Sequence, residues 1–374
     1  MKLRVSPKRV LIDDFIFELA THGGVGNYVS MLIRELRRLD GLAEVVHPRS
    51  YSVNHDAQQA GLTKPVPLFG RLPTNIPGIY RLNRLLAHSL NNRISDVTDD
   101  SFDIEHLTFY TPIGLENFKS RARVLTVYDM IPEKTSSVDL SSSPWYQKSS
   151  LVHTVDAIIC ISEAAKNDLL SFFPELNTPI FVTRLGVDSA NYRFRPIAPS
   201  PVMEIAYIGS RSAYKNFDTV LRALRRLPAD VHLLCAGGGK FSRSERQRIR
   251  ELGLSNKIHF MGTRNSDIRN TLERTSTYVS ASRSEGFGLV TLEALASGTT
   301  PVLARNAAHL EVGGKFAHFF DADDDDMLAA ALISLKRGGS HTHQAAAEGR
   351  IYAESHTWRQ TAIETLAVYE SVLS

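Results

Sequence analysis

Cysteine is scarce in this sequence: Cys160 and Cys235 are the only two among 374 residues. Each lies within an apolar run, so we interpret both as reduced core residues, which excludes a disulfide framework and a cysteine-ligated metal site. The sequence also has no apolar run of membrane-spanning length, and its start, MKLRVSPKRVLIDDF, lacks the apolar segment of a signal peptide. These absences predict a cytoplasmic enzyme.

A strong charge of one sign is absent as well, because 43 Lys and Arg against 40 Asp and Glu leave a net charge of only +3. The basic excess is local. The stretch PGIYRLNRLLAHSLNNR (77–93) has apolar residues at helical spacing and carries Arg81, Arg84 and Arg93 without an acid. Two interpretations stay open: a packed helix with a solvated basic face, and a basic amphipathic surface that rests on anionic lipid. No aromatic and basic module accompanies the charge, so nucleic acid is not an expected partner.

Short apolar runs alternate with amphipathic stretches along the whole chain. The first six predicted strands are RVLIDDF (9–15), EVVHP (44–48), DIEHLTF (103–109), RVLTVYD (123–129), AIICIS (157–162) and IFVTRLG (180–186). Six more follow the proline-containing segment RFRPIAPSPV, namely EIAYIGS, HLLCAGG, IHFMG, TYVSAS, TPVLA and HFFDA. This alternation predicts two doubly wound, Rossmann-like α/β domains with parallel sheets that face each other across an interdomain cleft.

The composition also sets the predicted domain boundaries. An N-terminal domain spans residues 1–192, a linker with three prolines spans 193–203, and a C-terminal domain spans 204–356. The remaining residues, 357–374, are predicted to form a helix that packs back on one of the two domains, the N-terminal one being the first choice.

Three turns have the composition of anion-binding loops. THGGVGN (21–27), GSRSAYKNFD (209–218) and SEGFGL (284–289) each follow a predicted strand and open a helix. Each offers glycine for close backbone approach, and the second adds Arg211 and Lys215, both of which bind phosphate. Since ligands of such sheets bind at the carboxyl ends of the strands, the three turns together predict a phosphate-bearing ligand.

An acid lies within the helix that follows the third turn. Residues 289–297 are good helix formers, and Gly298 with Pro301 supplies a stop. The helix is apolar nearly all round, which predicts burial, and a carboxylate from Glu293 is costly there unless a partner satisfies it. Two interpretations follow: a structural acid bonded to a neighbouring group, or an acceptor of hydrogen bonds from the hydroxyls of a ligand.

At this point the sequence resembles a known family. EGFGLVTLEALASGTTPVLA is similar to the E-x7-E signature of retaining glycosyltransferases of family 4, which have the GT-B fold. GGVGNY, ISEAAKNDL, RLGVD, YIGSRSAYKNF and LLCAGGG precede it in the family's order, so the resemblance covers nearly the whole chain. The signature combined with YKNF is its most specific part. YIGSRSAYKNF and YDMIPE resemble bacterial mannosyltransferase-like enzymes that assemble lipopolysaccharide or capsule-type polysaccharides.

The resemblance implies roles for residues of the C-terminal domain. Lys215 and Arg211 hold the nucleotide diphosphate. Glu285 receives hydroxyls of the donor sugar, and Glu293 accepts those of the ribose. Backbone positions bordering the donor are Gly209, Ser210, Gly286, Phe287, Gly288 and Leu289. The nucleobase region is implied to contain Gly237, Gly238, Gly262 and Arg264.

The N-terminal domain carries further implied site residues. Gly23 and Gly24 approach the phosphates from the other side. Tyr128 and Asp129 stand where many relatives carry His-Asp, whose histidine touches the donor sugar, so Tyr128 is expected to donate a hydrogen bond. His106 matches a family position near the acceptor, and the alternative for it is a buried histidine with satisfied nitrogens.

The resemblance implies a front-face reaction in which the leaving diphosphate takes the proton of the acceptor. No cofactor or metal is expected, and we interpret the acidic run DADDDD (321–326) as a surface loop. The predicted activity is transfer of a hexose, with GDP-mannose as the first choice of donor, to a glycan or lipid-linked saccharide. The alternatives are a UDP-sugar donor, a sugar-nucleotide epimerase and a non-catalytic sugar-nucleotide binder.

Overall fold

The computed structural model describes residues 8–39, 42–67, 78–94, 101–110, 119–135, 147–195, 202–338 and 343–374. Residues 196–201 of the predicted linker lie outside this description, as do residue 77 and the side chain of Arg93. The chain divides into two compact units, the first formed by Met1–Leu185 with Trp358–Ser374 and the second by Gly186–Thr357. No helix among the described residues is long and apolar enough to cross a membrane.

The first unit has eight described strands, six of which form one parallel sheet. Its strands are β1 (Lys8–Ile12), β2 (Ala43–Val46), β3 (Tyr51–Ser52), β4 (Lys64–Pro65), β5 (Ser101–Leu107), β6 (Lys119–Val127), β7 (Ala157–Cys160) and β8 (Ile180–Val182). The main sheet has the order β2-β1-β5-β6-β7-β8, and β3 and β4 form a separate parallel pair. The helices are α1 (Ile16–Leu19), α2 (Gly24–Arg37), α3 (His55–Gln59), α4 (Ile79–Ile94), α5 (Ile131–Lys134), α6 (Lys148–Leu151) and α7 (Glu163–Phe172).

The second unit also has a six-stranded parallel sheet, with a different strand order. Its strands are β9 (Met203–Ile208), β10 (Val231–Ala236), β11 (Ile258–Gly262), β12 (Thr277–Ser280), β13 (Thr300–Ala304) and β14 (His318–Phe320), in the order β11-β10-β9-β12-β13-β14. The helices are α8 (Phe217–Arg226), α9 (Arg243–Glu251), α10 (Asn265–Arg274), α11 (Leu289–Ser297), α12 (Ala307–Gly313), α13 (Asp325–Lys336) and α14 (His343–Glu354). The prediction of two α/β domains with parallel sheets is confirmed.

Burial explains why these segments are strands. Parallel sheets covered by helices on both faces need apolar residues at successive positions, not only at alternate ones. β7 is accordingly buried at all four residues, and Val10, Leu11 and Ile12 of β1 are fully buried. In each sheet there are two neighbouring strands from which the connections run to opposite sides of the sheet order. They are β1 and β5 in the first unit and β9 and β12 in the second. These are the topological switch points, where such sheets bind ligands.

The last helix, α15 (Trp358–Leu373), belongs to the first unit and packs on α2, β6 and β7. Its hydroxyl groups anchor it, because Thr361 Oγ1 donates to the Arg184 carbonyl at 2.8 Å and Tyr369 Oη lies 2.6 Å from Nδ1 of His106. The chain therefore begins and ends in the same unit.

Candidate active site

Two loops meet at the switch point of the second unit. The loop after β9 carries Lys215 and the loop after β12 carries Glu285, and Lys215 Nζ lies 2.7 Å from Glu285 Oε1. A backbone hydrogen bond of 2.9 Å from the Arg283 N–H to the Tyr214 carbonyl joins the same loops. Both members of the ion pair are partly exposed. The structure thus brings together two side chains that are 70 positions apart in the sequence.

The motif YKNF positions Lys215 through its asparagine. Asn216 has a left-handed backbone (φ 53°) and is the only described residue other than glycine with a positive φ. Asparagine tolerates this conformation better than most residues. Its side chain donates to the Ala322 carbonyl at 2.6 Å and accepts from Thr219 Oγ1 at 3.0 Å. The turn therefore ends at Asn216, and α8 begins directly after it with Phe217 buried.

Glu285 is held in its ionised form. Burial opposes ionisation of its carboxyl, but the charge of Lys215 and hydrogen bonds from Lys215 and Ser282 outweigh that effect and lower its pKa. An ionised carboxylate only accepts hydrogen bonds. Glu285 can therefore receive hydroxyl groups of a ligand, and it is not poised to act as a proton donor near neutral pH.

His309 is a member of this site that the sequence did not reveal. It lies on α12, is 1% exposed, and its Nδ1 is 2.7 Å from the Ala304 carbonyl oxygen. Asn306 joins its helix to the Glu285 loop, because Asn306 Nδ2 donates to the Ser282 carbonyl at 2.9 Å and its Oδ1 accepts from the His309 N–H. Burial lowers the pKa of His309, so its ring is neutral at pH 7. The only indication of this residue in the sequence was that a histidine follows the apolar run that forms β13.

Glu293 lies on α11 and has a partner of its own. The helix spans Leu289–Ser297 and ends at Gly298 with φ 84°, as predicted. Most of its residues are buried, but Glu293 itself is only partly so. The Tyr192 hydroxyl hydrogen-bonds to its carboxylate, and burial together with the charge of Glu293 raises the pKa of Tyr192 well above its usual value. Arg269 lies over the Tyr192 ring, 5.9 Å from its centre.

Arg211 is not presented as a phosphate-binding cation, contrary to the prediction. Its side chain is 3% exposed, its Nε donates to Glu245 Oε1 at 2.7 Å, and its Nη2 donates to the Gly239 carbonyl at 2.8 Å. The guanidinium also lies over the Phe241 ring. The physical reason is Glu245, a partly exposed acid in the first turn of α9. Its carboxylate binds the guanidinium and holds it against the turn after β10.

The glycines of the second unit permit close backbone approach. A Cβ on Gly238 (φ 62°) would lie 2.3 Å from the Gly209 carbonyl oxygen, so the turns after β9 and β10 touch only because this residue is glycine. Gly209, Gly237, Gly262 and Gly288 also have positive φ angles. Ser210 accepts a hydrogen bond from Tyr207 at its carbonyl, Gly286 and Phe287 are buried, and Arg264 pairs with Asp267 at the surface.

Gly23 and Gly24 form an open helix start in the first unit. Both are exposed, a Cβ on either would meet nothing within 4 Å, and α2 begins at Gly24 without a side-chain cap. Helix starts of this kind leave backbone N–H groups available to an anion. This geometry is compatible with the implied phosphate role.

Three other residues of the first unit, which the resemblance implies to be site residues, are bonded to protein groups. His106 is 0% exposed, its Nε2 is 2.7 Å from Thr126 Oγ1 and its Nδ1 is bonded to Tyr369, so no ring nitrogen remains for an acceptor. Tyr128 is buried and donates its hydroxyl proton to the Thr108 carbonyl at 2.7 Å. Asp129 accepts from the Ile131 N–H at 2.9 Å and thereby caps α5. The partners of His106 and Tyr128 lie outside their own motifs, whereas Asp129 is bonded within YDMIPE.

The acids of the run DADDDD pair with arginines or cap a helix. Asp324 accepts from the Met327 N–H and caps α13, while four other acids of the run form ion pairs with arginines of the second unit. They join Asp321 to Arg305, Asp323 to Arg283, and Asp325 and Asp326 to Arg226. Within the described parts of the chain, no group of three or more His, Cys, Asp or Glu has the geometry to hold a metal.

Known proteins match the chain along most of its length. The family model described as Glycosyltransferase Family 4 matches residues 22–191, and the one described as Glycosyl transferases group 1 matches residues 188–351. The chain is 27% identical to the MMP alpha-(1->4)-mannosyltransferase of Mycolicibacterium hassiacum over 95% of this chain and 96% of that protein. It is 25% identical to the O-antigen chain mannosyltransferase B of Escherichia coli over 70% of this chain and 72% of that protein.

Solved structures agree with these matches in fold. The structure of Anabaena HepE in complex with UDP and glucose aligns with a TM-score of 0.71 at 18% identity and covers 97% of this chain and 100% of that chain. The two family models adjoin and together extend over residues 22–351. The chain therefore belongs to the family-4 glycosyltransferases of GT-B fold.

Proposed function

We propose that this protein is a retaining glycosyltransferase that moves a hexose from a sugar nucleotide to a glycan or lipid-linked saccharide in the synthesis of cell-surface polysaccharide. The observation that carries the proposal is the Lys215–Glu285 ion pair at the switch point of the second unit. It places a cation for a diphosphate beside a carboxylate for sugar hydroxyls, on loops at the carboxyl ends of two central strands.

Each group has a proposed role that follows from its chemistry. Lys215 neutralises the diphosphate, and Glu285 accepts hydrogen bonds from hydroxyls of the hexose. Glu293 accepts those of the ribose, and the turns at Gly237–Gly238 and Gly262–Arg264 border the nucleobase. The uncapped start of α11 offers backbone N–H groups to the phosphates.

The proposed reaction needs no protein nucleophile. The bond between the anomeric carbon and the diphosphate oxygen breaks while the acceptor oxygen bonds to the same face of that carbon. The acceptor proton passes to the leaving diphosphate. Catalysis then consists of positioning the two substrates and stabilising the charge that develops on the diphosphate, which Lys215 and the start of α11 provide without a metal.

We propose GDP-mannose as the donor, and the two mannosyltransferases to which the chain is similar support this choice. A UDP-sugar is the alternative, because the aligned HepE structure contains UDP and glucose. Arg211 has no role in recognising the nucleobase in this proposal, because its guanidinium is bonded to Glu245 and the Gly239 carbonyl. We assign Arg211 the task of fixing the turn after β10.

The donor proposal is tested by thermal-shift screening against GDP, UDP, GDP-mannose and UDP-glucose, followed by incubation of the best ligand with and without a saccharide acceptor. We expect stabilisation by the guanine pair, an α-linked product by NMR, and no conversion of the donor alone to another sugar. Lys215→Ala is expected to weaken binding of GDP about tenfold, as loss of one charge-assisted contact predicts. Stabilisation by none of the four ligands would refute the proposal.

We also propose that α4 brings the enzyme to the inner face of the plasma membrane. Arg81, Leu82, Arg84 and Leu85 are exposed on this helix, whereas Ala87 is buried. Exposed leucines beside arginines are the pattern of a helix that lies on anionic lipid.

The membrane proposal is tested by sedimentation with vesicles of phosphatidylglycerol or phosphatidylcholine. We expect binding to the anionic vesicles alone, reduced by high salt and by the double substitution Leu82→Ser and Leu85→Ser. Equal sedimentation with both lipids, or with neither, would contradict it.

A further inference from the structure

Two polar side chains, those of Thr291 and His309, converge on Gly288, the glycine that precedes α11. A Cβ at this position would lie 3.5 Å from His309 Cδ2 and 3.5 Å from Thr291 Oγ1. Thr291 is fully buried, and its hydroxyl has no hydrogen-bond partner among the described residues. A buried polar atom left unpaired is costly, so native proteins rarely keep one without a ligand or water to offset that cost.

The hydrogen bonds of His309 fix which ring nitrogen is available. Nδ1 lies 2.7 Å from the Ala304 carbonyl oxygen and 2.9 Å from Asn306 Nδ2. The carbonyl can only accept and is the nearer of the two, and Asn306 Nδ2 already donates to the Ser282 carbonyl, so we assign the proton to Nδ1. In the neutral ring Nε2 is then a hydrogen-bond acceptor. No described residue donates to it, and Nε2 is bonded to Cδ2, the atom that faces Gly288. The free lone pair therefore lies on the side of the ring that borders the Glu285 loop.

The surroundings of the ring connect it to the proposed sugar site. Asn306 bonds the α12 start to the Ser282 carbonyl, three residues before Glu285. The charges of Glu285 and Lys215 both act on the imidazole, one raising and the other lowering its pKa. A neutral acceptor beside an ionised acceptor suits a ligand that offers several hydroxyl protons within a few ångströms, which is the chemistry of a hexose.

We propose that His309 is a sugar-recognition residue whose Nε2 accepts a hydrogen bond from a second hydroxyl of the hexose bound at Glu285. The inference rests on the proposed function, because it needs a sugar nucleotide at Lys215 and Glu285. It adds that sugar specificity is divided between two loops, with Glu285 after β12 and His309 after β13. A donor lacking the relevant hydroxyl would leave Nε2 unpaired in a closed site, which is how binding sites reject deoxy analogues.

Two substitutions separate the two nitrogens of His309. His309→Asn keeps an amide N–H near the Nδ1 position and removes Nε2, whereas His309→Gln places an amide oxygen or nitrogen near Nε2 and gives up Nδ1. Calorimetry on each variant would measure GDP, GDP-mannose and the 2-, 3-, 4- and 6-deoxy analogues of GDP-mannose. The same series with UDP and UDP-glucose replaces it if the uridine nucleotides are the ligands of the wild-type enzyme.

We expect GDP to bind both variants as it binds the wild type. His309→Asn should reduce the affinity ratio of GDP-mannose to GDP about fivefold, as loss of one hydrogen bond predicts, and His309→Gln should restore part of it. The deoxy analogue that loses affinity for the wild type should lose none for His309→Asn. A wild-type ratio and wild-type analogue discrimination in His309→Asn would overturn the inference, as would an equal loss of GDP binding in both variants. Binding of no sugar nucleotide by the wild type would instead refute the proposed function.

Discussion

Both units have a six-stranded parallel sheet with a topological switch point, yet the polar residues at the two switch points are bonded in opposite ways. In the first unit, Asp14 and Glu18 follow β1, and both are bonded to the buried Arg49 at 2.7 and 3.0 Å. His106 on β5 has both nitrogens bonded. In the second unit, Lys215 and Glu285 are partly exposed, and His309 keeps one ring nitrogen without a partner among the described residues.

The difference distinguishes a structural role from a binding role for polar clusters in such sheets. A network whose members satisfy each other is costly to disturb and stabilises one arrangement of the loops. A cluster that keeps acceptors and a cation accessible gives up some of that stability and gains the ability to bind. The comparison assigns the first unit's cluster to the scaffold and the second unit's cluster to the ligand.

The largest expected effect comes from breaking the network of the first unit. Arg49→Met leaves Asp14 and Glu18 buried without their cation, and burial already raises the pKa of the neighbouring Asp13 to about 7. We expect the free energy of unfolding of this unit to fall by about 3–5 kcal/mol in chemical denaturation. Arg121→Met, which removes an exposed arginine, is the matched control and should cost less than about 1 kcal/mol. Equal losses for the two variants would contradict the assignment.

The second effect concerns catalysis in the second unit. Glu285→Gln removes the carboxylate charge but keeps the size of the side chain. We expect kcat/KM for transfer to fall about 10²- to 10³-fold while GDP binds nearly as before, because the lost contacts are made to the sugar. Glu354→Gln, an exposed glutamate on α14, is the control and should leave both quantities unchanged. A parallel loss of GDP affinity and transfer in Glu285→Gln would move Glu285 from the sugar to the diphosphate.

Local patterns sufficed for the fold and for part of the site. The alternation of apolar runs and helical stretches predicted every strand of the two main sheets, and Gly298 marked the end of α11, because these features depend on neighbours in sequence. The pairing of Lys215 with Glu285 was also within reach, since each follows a strand that the topology places at the centre of the sheet.

The sequence did not reveal contacts between residues that are distant in the chain. Arg211 is captured by Glu245, 34 positions later, and His106 is bonded to Tyr369, 263 positions later. His309 enters the site through the loop after a third strand, where no local motif marks it. Side-chain direction in these cases is decided by packing between elements, which spacing within one motif does not encode.

A smaller effect tests whether His106 belongs to the scaffold. Burial lowers the pKa of His106 to about 3, below the ordinary value of 6.5. Between these values the unfolded chain binds one more proton than the folded one, so stability is lost as pH falls from 6.5 towards 3, by about 1.4 kcal/mol per pH unit. Asp13 has a raised pKa and the opposite slope, so the wild type alone gives only the sum.

The comparison with His106→Gln isolates the histidine. Denaturation of both proteins from pH 7 to pH 4.5 should give a difference in unfolding free energy that shrinks as the pH falls, because the variant lacks the group that charges on unfolding. A difference that stays constant over this range would mean that His106 is already protonated or accessible in the folded protein, as an acceptor-side residue would be.

The smallest expected effect divides the second unit's site into a ribose side and a sugar side. Tyr192→Phe removes the hydroxyl that bonds to Glu293. The carboxylate is then less well fixed, and we expect GDP and GDP-mannose to lose affinity equally, about fivefold, since both carry the ribose. The ratio of the two affinities should not change, in contrast to His309→Asn. Discrimination between GDP and its 2′-deoxy analogue should also shrink, because it depends on a carboxylate held in place. A change in the ratio without a change in this discrimination would place Tyr192 and Glu293 against the hexose instead.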